Sequence, residues 1–343
     1  MFHQLWRRLS GVGTPATPMT EAPAVVASVP AAAAAAPAPT PMPAAPDSRQ
    51  VAEATLRRSL NRRTRLLLEG ASRDAKLSDG PTLVEALRTA NDSVIRQPPQ
   101  AAMHARSIAR NTDAPLATVT ALFESDPMLA QSLMRQANSA YYRRDSAPCT
   151  SLHSGVQRVG MKGVQGVLMS SLVQQMLCRP GGTYDALVQK VWSHMQRTAP
   201  VARAIAPAFG VDPDTAYLLA LLHDVGKLVV FDHVSRLRHD HHRDLKLPDI
   251  FFRQLLYHLH EPIGGLAALR WDMGAEAAHA IAEHHRRTVP EKPDRATECL
   301  YVAECVELAH ANFTRLDWEK IWADGGITSE VAMVQDRLRG MEE

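Results

Sequence analysis

His223 and Asp224 directly follow the nearly unbroken apolar run Ala216-Tyr217-Leu218-Leu219-Ala220-Leu221-Leu222. An imidazole and a carboxylate at the end of a helix that must be central are costly to bury unless each finds a partner or a cation. Twelve of the 15 histidines lie between His194 and His310, and histidine with aspartate is the ligand chemistry of divalent metals at hydrolytic sites. Such a cation polarises a phosphoryl oxygen and lowers the pKa of water towards neutrality. An alternative needs no metal: His223 donates to a backbone carbonyl, and Asp224 caps a helix or pairs with Lys227. An isolated His-Asp dipeptide would favour that alternative. This one has company: His194 stands at the edge of an earlier apolar face, His260 precedes Gly264-Gly265, and His284-His285 closes a further helical segment. By contrast His239, Asp240, His241 and His242 lie among Arg and Asp side chains and read as a solvated loop.

These residues need helices to position them. From about residue 81 the apolar side chains recur at three-and-four spacing and nowhere sustain the alternation of a half-buried strand, which predicts an all-α fold. Leu116, Val119, Leu122 and Phe123 mark one helix face; Asp126 offers an N-cap, Pro127 suits the first helical position, and Leu129, Leu133 and Ala137 continue a second helix. Gly160, Gly163 and Gly166 stand three apart in a helix running from Val156 to Leu172, and read as close packing against a neighbouring backbone. They lack the preceding strand and the Lys-Ser/Thr ending of a phosphate loop. Val188, Val191, Trp192, Met195, Ala199, Ala202, Ile205 and Phe209 form a long amphipathic stretch. The clearest break is Cys178 to Thr183, with Arg179-Pro180-Gly181-Gly182 inside it. The expected organisation is a disordered N-terminal peptide and Ala/Pro linker over residues 1–50, an Arg-rich lead-in helix over 51–80, one helical half over 81–180 and a second over 184–343.

Taken together, these segments resemble a known family. His223-Asp224-Val225-Gly226-Lys227 resembles the signature of the HD superfamily of helical metal-dependent phosphohydrolases, and the surrounding chain resembles its HDOD branch, the HD-related output domain of bacterial signalling proteins. The resemblance covers most of residues 95 to 310. Its first-half pieces are Ser125-Asp126-Pro127-Met128-Leu129, Gln136-Ala137-Asn138-Ser139-Ala140-Tyr141-Tyr142, and Ser151-Leu152 through Val159-Gly160. In the second half Val191-Trp192-Ser193-His194, His260-Glu261-Pro262-Ile263-Gly264 and His284-His285 match further ligand segments.

The resemblance implies an HD-domain-like multi-helix bundle with an N-terminal helical subdomain. It also implies His194, His223, Asp224, His260 and His284 as metal ligands. Where the superfamily has a final Asp after Ala, this chain has Ala303-Glu304, one methylene longer, so Glu304 takes the last position. The Gly-Tyr-Pro feature of the phosphodiesterases that cleave cyclic di-GMP does not accompany the motif. Lys227 is three residues beyond Asp224, one turn if the helix continues past Gly226, placed to meet a phosphate or to neutralise Asp224. The HDOD branch is regarded as regulatory, which implies a module that contacts signalling proteins without catalysis, requires no cofactor and can accommodate a divalent metal ion. Two alternatives stay open: a metal-dependent phosphohydrolase acting on a nucleotide or cyclic dinucleotide, and a sensor that binds a nucleotide second messenger without turnover.

Composition limits what else the chain can be. Residues 14 to 46 are nearly all Ala, Pro, Thr and Val, too poor in large apolar groups to fold, and read as a tether. Phe2, Leu5, Trp6 and Leu9 precede it and read as a disordered start rather than a docking peptide. Arg57, Arg58, Arg62, Arg63 and Arg65 read as a solvated helix, since no aromatic residues interleave with them for base stacking. The 38 basic and 36 acidic side chains leave a net charge of +2 and no chain-wide field to draw nucleic acid. No apolar run reaches the roughly 18 residues of a spanning helix. The prolines after Arg7 and Arg8 interrupt any signal-peptide core. Cys149, Cys178, Cys299 and Cys305 follow no disulfide or metal spacing, and reduced thiols predict a cytoplasmic location.

Overall fold

A computed structural model describes residues 47–71, 79–111, 113–143, 147–178, 184–241, 248–286 and 294–340. Among these residues the regular elements are all helices, as the three-and-four spacing predicts. The tether and the N-terminal peptide, like Arg179-Pro180-Gly181-Gly182, lie outside the described residues.

The first helix, α1 (Ser48–Ala71), leads into α2 (Gly80–Thr89). Four shorter helices follow: α3 (Gln100–Arg110), α4 (Leu116–Glu124), α5 (Pro127–Ala137) and α6 (Ala140–Arg143). They gather on the long α7 (Leu152–Leu177). Asp126 caps α5 as its sequence predicts, its carboxylate accepting from the Met128 and Leu129 amides while Pro127 opens the first turn. Phe123, Leu133, Val156 and Val164 centre this smaller core.

The second group comprises α8 (Asp185–Ile205), a 3₁₀ turn at Ala206–Phe209, α9 (Pro213–Leu222), α10 (Val225–His241), α11 (Asp249–Arg270), α12 (Ala275–Ala282), α13 (Arg295–Ala311), α14 (Trp318–Gly325) and α15 (Val331–Arg339). α9 packs chiefly on α8, α13 on α8, and α10 and α12 on α11. Leu222, Phe231, Ile281, Leu300 and the fully buried Trp271 belong to this larger core. It also takes in Leu83, Leu87 and Ile95, and the two cores divide inside α7, Leu168 facing one and Met169 the other.

Three local readings are corrected by the coordinates. The Arg-rich segment is only in part a solvated helix: Arg58, Arg62 and Arg65 are exposed, but α1 packs on α11 and α12 through Leu56, Leu60 and Leu67, and Arg63 is buried, donating to the Glu261 carboxylate and the His258 carbonyl. One face of α1 had enough leucine to dock, and a partner carboxylate makes the buried arginine tolerable. The stretch His239 to His241 is helical, because Val230, Val234 and Leu237 carry the apolar spacing of α10 to its end; His242 lies outside the described residues. Of the three spaced glycines, Gly163 alone meets a neighbour, and it is a side chain: a β-carbon there would lie 2.4 Å from the Tyr142 hydroxyl. Gly160 instead adopts φ +69° and kinks α7, a conformation that favours glycine.

Candidate metal centre

Five stretches of chain deliver polar side chains to one place in the larger core. α8 carries His194, the turn between α9 and α10 carries His223 and Asp224, and α11 carries His260. The turn after α12 carries His284 and His285, and α13 carries Glu304 and Glu307. Asp212 starts α9 by accepting from the Thr215 amide, and Asp294 starts α13 by accepting from the Thr297 amide, so both helices enter the site on capped ends.

Gly226 explains how α10 can lie so close to α11. A β-carbon at Gly226 would stand 1.9 Å from the His260 carbonyl oxygen and 2.8 Å from the Gly264 nitrogen. Only the missing side chain permits the contact, which brings the His223–Asp224 turn against His260. The helix begins at Val225 and continues past Gly226, so Lys227 stands one turn beyond Asp224, its amide donating to the Asp224 carbonyl at 2.9 Å.

Three imidazoles are oriented in the same way. Nδ1 of His223, His260 and His284 each lies 2.7 Å from a backbone carbonyl, of Ala220, Leu256 and Ile281 respectively. With Nδ1–H donating to the carbonyl, each Nε2 presents a lone pair to the interior, the arrangement of metal-ligating histidines. His194 Nδ1 lies 2.5 Å from Glu307 Oε2, and Arg197 Nε donates to Glu307 Oε1 at 2.6 Å. The inward nitrogens then meet: His194 and His223 Nε2 atoms are 3.2 Å apart, and those of His260 and His285 are 3.1 Å apart.

Asp224 lies between the two pairs. Its Oδ2 is 3.6 Å from His223 Nε2 and 4.0 Å from His194 Nε2, and its Oδ1 is 3.6 Å from His260 Nε2 and 3.7 Å from His284 Nε2. Glu304 also reaches both pairs, with Oε1 3.9 Å from His194 Nε2 and 4.0 Å from His223 Nε2, and Oε2 3.2 Å from His285 Nδ1. The added methylene therefore leaves the terminal carboxylate within reach of both groups. Asp224 Oδ1 and His284 Nε2 are buried with no hydrogen-bond partner, which is the signature of a missing ligand rather than of a satisfied core. The ligand atoms of three overlapping triads, His194/His223/Asp224, His223/His284/Glu304 and His260/His284/His285, each fall within 4.8 Å of one another. These donors fit a divalent cation.

The electrostatics sort the histidines. Burial holds His223 and His260 below the usual histidine value, and burial together with the neighbouring His285 takes His284 down to about 3. Burial opposes charge at His194 too, but Glu304, Glu307 and Asp224 lift it to about 9. Burial alone would raise Asp224; Lys227 and the surrounding histidines outweigh it and keep the carboxyl well below its usual range. The rings of His223, His260 and His284 are thus neutral donors, and Asp224 is an anion.

Both halves of the metal-free alternative occur here, since His223 does bond a carbonyl and Lys227 Nζ does donate to Asp224 Oδ2 at 2.6 Å. They occupy only the outward nitrogen and one carboxylate oxygen. Sequence reasoning brought together His194, His223, Asp224, His260, His284 and Glu304, all of which the structure gathers. It missed Glu307, whose signal was its position one turn beyond Glu304 on the same helix. It also missed the Arg63–Glu261 pair beside His260, which joins residues far apart in the chain.

An all-helical bundle with a buried His/Asp cluster on the α9–α10 turn defines an HD-type domain. The HDOD domain model matches residues 95–287, more than half of the chain, and the chain belongs to the HDOD family of the HD superfamily. Among solved structures, a protein of Shewanella amazonensis assigned as a metal-dependent phosphohydrolase is 18% identical, with a TM-score of 0.58 over 76% of this chain and 98% of its own. A second Shewanella amazonensis protein, assigned as a phosphohydrolase, is 20% identical with a TM-score of 0.57 over 76% and 96%. An HDOD domain protein of unknown function from Geobacter sulfurreducens is 19% identical with a TM-score of 0.51 over 72% and 91%. At these identities the likeness is one of fold. No curated protein matches the chain. No helix among the described residues is long and apolar enough to cross a membrane.

Proposed function

We propose that this chain is a cytoplasmic regulatory module of signal transduction that contacts signalling proteins, and that its HD centre holds a divalent cation as a structural element. His194, His223, Asp224, His260, His284 and Glu304 would hold the ion, with Glu307 orienting His194. The observation that carries this reading is the burial of the donors: His223, Asp224, His260 and His284 are each at most 1% exposed. Lys227, the side chain suited to a phosphate, is instead closed onto Asp224. Donors buried to this depth support helix packing more directly than substrate access.

A second reading, a metal-dependent phosphohydrolase, is favoured by the rim. His285, Lys227 and His194 keep 28%, 24% and 12% of their side chains exposed, so one edge of the centre reaches solvent. A bound cation would supply charge neutralisation at a phosphoryl group. In that reading Lys227 leaves Asp224 to orient the substrate phosphate.

Metal analysis of the purified full chain, with phosphate release from a panel of nucleotides and cyclic dinucleotides, separates the two. The regulatory reading expects retained metal, loss of metal in Asp224→Ala and no phosphate release from either protein. Turnover abolished by Asp224→Ala would establish the hydrolase instead.

A further inference from the structure

A second polar site lies away from the metal centre, at the seam between the two cores. A cleft of about 700 Å³ is lined by Tyr141, Tyr142, Ser154, Gln157, Arg158 and Asp214, among others. The first five come from α6 and α7 of the smaller core side, and Asp214 from the start of α9 in the larger group. That volume lies within the about 300 to 1,000 Å³ of small-molecule sites, which favour such seams.

The chemistry of the lining is selective. Asp214 is already neutralised: the Tyr142 hydroxyl donates to its Oδ1 at 2.6 Å, and Arg203 donates to the same oxygen at 2.7 Å. Arg203 is itself buried against aromatic rings, its guanidinium carbon 4.3 Å from the Tyr141 centroid and 3.8 Å from that of Tyr217. Tyr141 is therefore held from behind by a cation while 40% of its surface is exposed. Arg158 lines the cleft and donates through Nη2 to the Ala147 carbonyl at 2.8 Å; its Nη1 is buried without a hydrogen-bond partner, and it forms no ion pair among the described residues. An uncompensated guanidinium, a backed aromatic ring and the hydrogen-bonding groups of Gln157 and Ser154 suit a ligand that joins an anion to a flat, polar ring.

We propose that this cleft binds a nucleoside phosphate, the phosphate meeting Arg158 and the base lying against Tyr141. The site is distinct from the metal centre. Asp214 opens α9, and His223–Asp224 follow its end, about 15 Å further along the same helix.

Equilibrium titration of the full chain with GMP, AMP and inorganic phosphate tests the assignment. At least one nucleotide binds saturably, and inorganic phosphate binds at least tenfold more weakly. Arg158→Gln weakens nucleotide binding at least tenfold and Tyr141→Ala at least fivefold, with unfolding midpoints near that of the parent, whereas Asp224→Ala leaves binding within twofold. Lack of saturable binding by either nucleotide would overturn the proposal, as would affinity unchanged in Arg158→Gln. Phosphate binding as tight as nucleotide binding, or loss of nucleotide binding in Asp224→Ala, would equally place the ligand elsewhere.

Discussion

Gly226→Ala is a one-carbon test of how the HD centre is assembled. The new β-carbon would begin 1.9 Å from the His260 carbonyl oxygen, 2.7 Å from its carbon and 2.8 Å from the Gly264 nitrogen. All three are backbone atoms of α11 and cannot rotate away, so α10 must retreat by about 1.5 Å before contacts become ordinary. Overpacking of this kind costs about 1–3 kcal/mol. At about 2–4 °C per kcal/mol for a domain of this size, the melting temperature falls by roughly 2 to 12 °C. The same retreat draws Asp224 away from His260 and His284, which now lie 3.6 and 3.7 Å from its Oδ1. The variant should therefore lose metal affinity as well as stability, measured by thermal unfolding and by metal titration of chelator-treated protein. A Gly226→Ala protein with parental melting temperature and parental metal affinity would refute the claim that this contact sets the site.

Further expectations follow from the buried charges. Arg63→Met removes the cation paired with Glu261, a carboxylate buried beside His260, and should cost about 3–5 kcal/mol by urea unfolding. Arg63→Met with Glu261→Gln should recover part of that loss, and an unaffected single variant would show that α1 is not anchored there. In chelator-treated protein, His194 at about 9 lies above its unfolded value of about 6.5, so its protonated ring stabilises the fold fully below about pH 6.5 and that contribution is lost as pH rises through 9. His284, at about 3, works in the opposite sense: the fold is favoured above about pH 6.5 and progressively less as pH falls towards 3. The urea midpoint should decline on both sides, and His194→Gln should flatten the alkaline side only. Asp294→Ala removes the cap of α13 and should cost about 1 kcal/mol, with no change if Thr297 finds another acceptor.

The fold was legible because nearly every helix carries its own instructions. Asp126-Pro127 starts α5, and the apolar run of Ala216 to Leu222 could only be buried. The metal-centre residues were legible because His223-Asp224 is short, rigid in type and attached to that buried run. What escaped the sequence was pairing across distance. The leucine spacing places Arg63, and not Arg62, on the face of Leu56, Leu60 and Leu67, but whether an arginine can be buried there depends on Glu261, almost two hundred residues away. The reading of His239 to His241 as loop gave weight to local polarity, whereas Val230, Val234 and Leu237 on the inner face decide the helix. Gly160, Gly163 and Gly166 looked alike in sequence, yet one kinks the helix and another makes room for Tyr142, because their surroundings differ.

The central claim is that Asp224 and the inward-facing histidines hold a divalent cation. Anomalous diffraction from crystals of the purified protein, collected at the absorption edges of zinc, manganese and iron, tests it most directly. One or two peaks are expected within ligand distance, about 2.0–2.3 Å, of an Asp224 oxygen and Nε2 of at least two of His194, His223, His260 and His284. Well-ordered crystals with no anomalous density among these side chains after metal supplementation, or with density only at surface histidines, would contradict it.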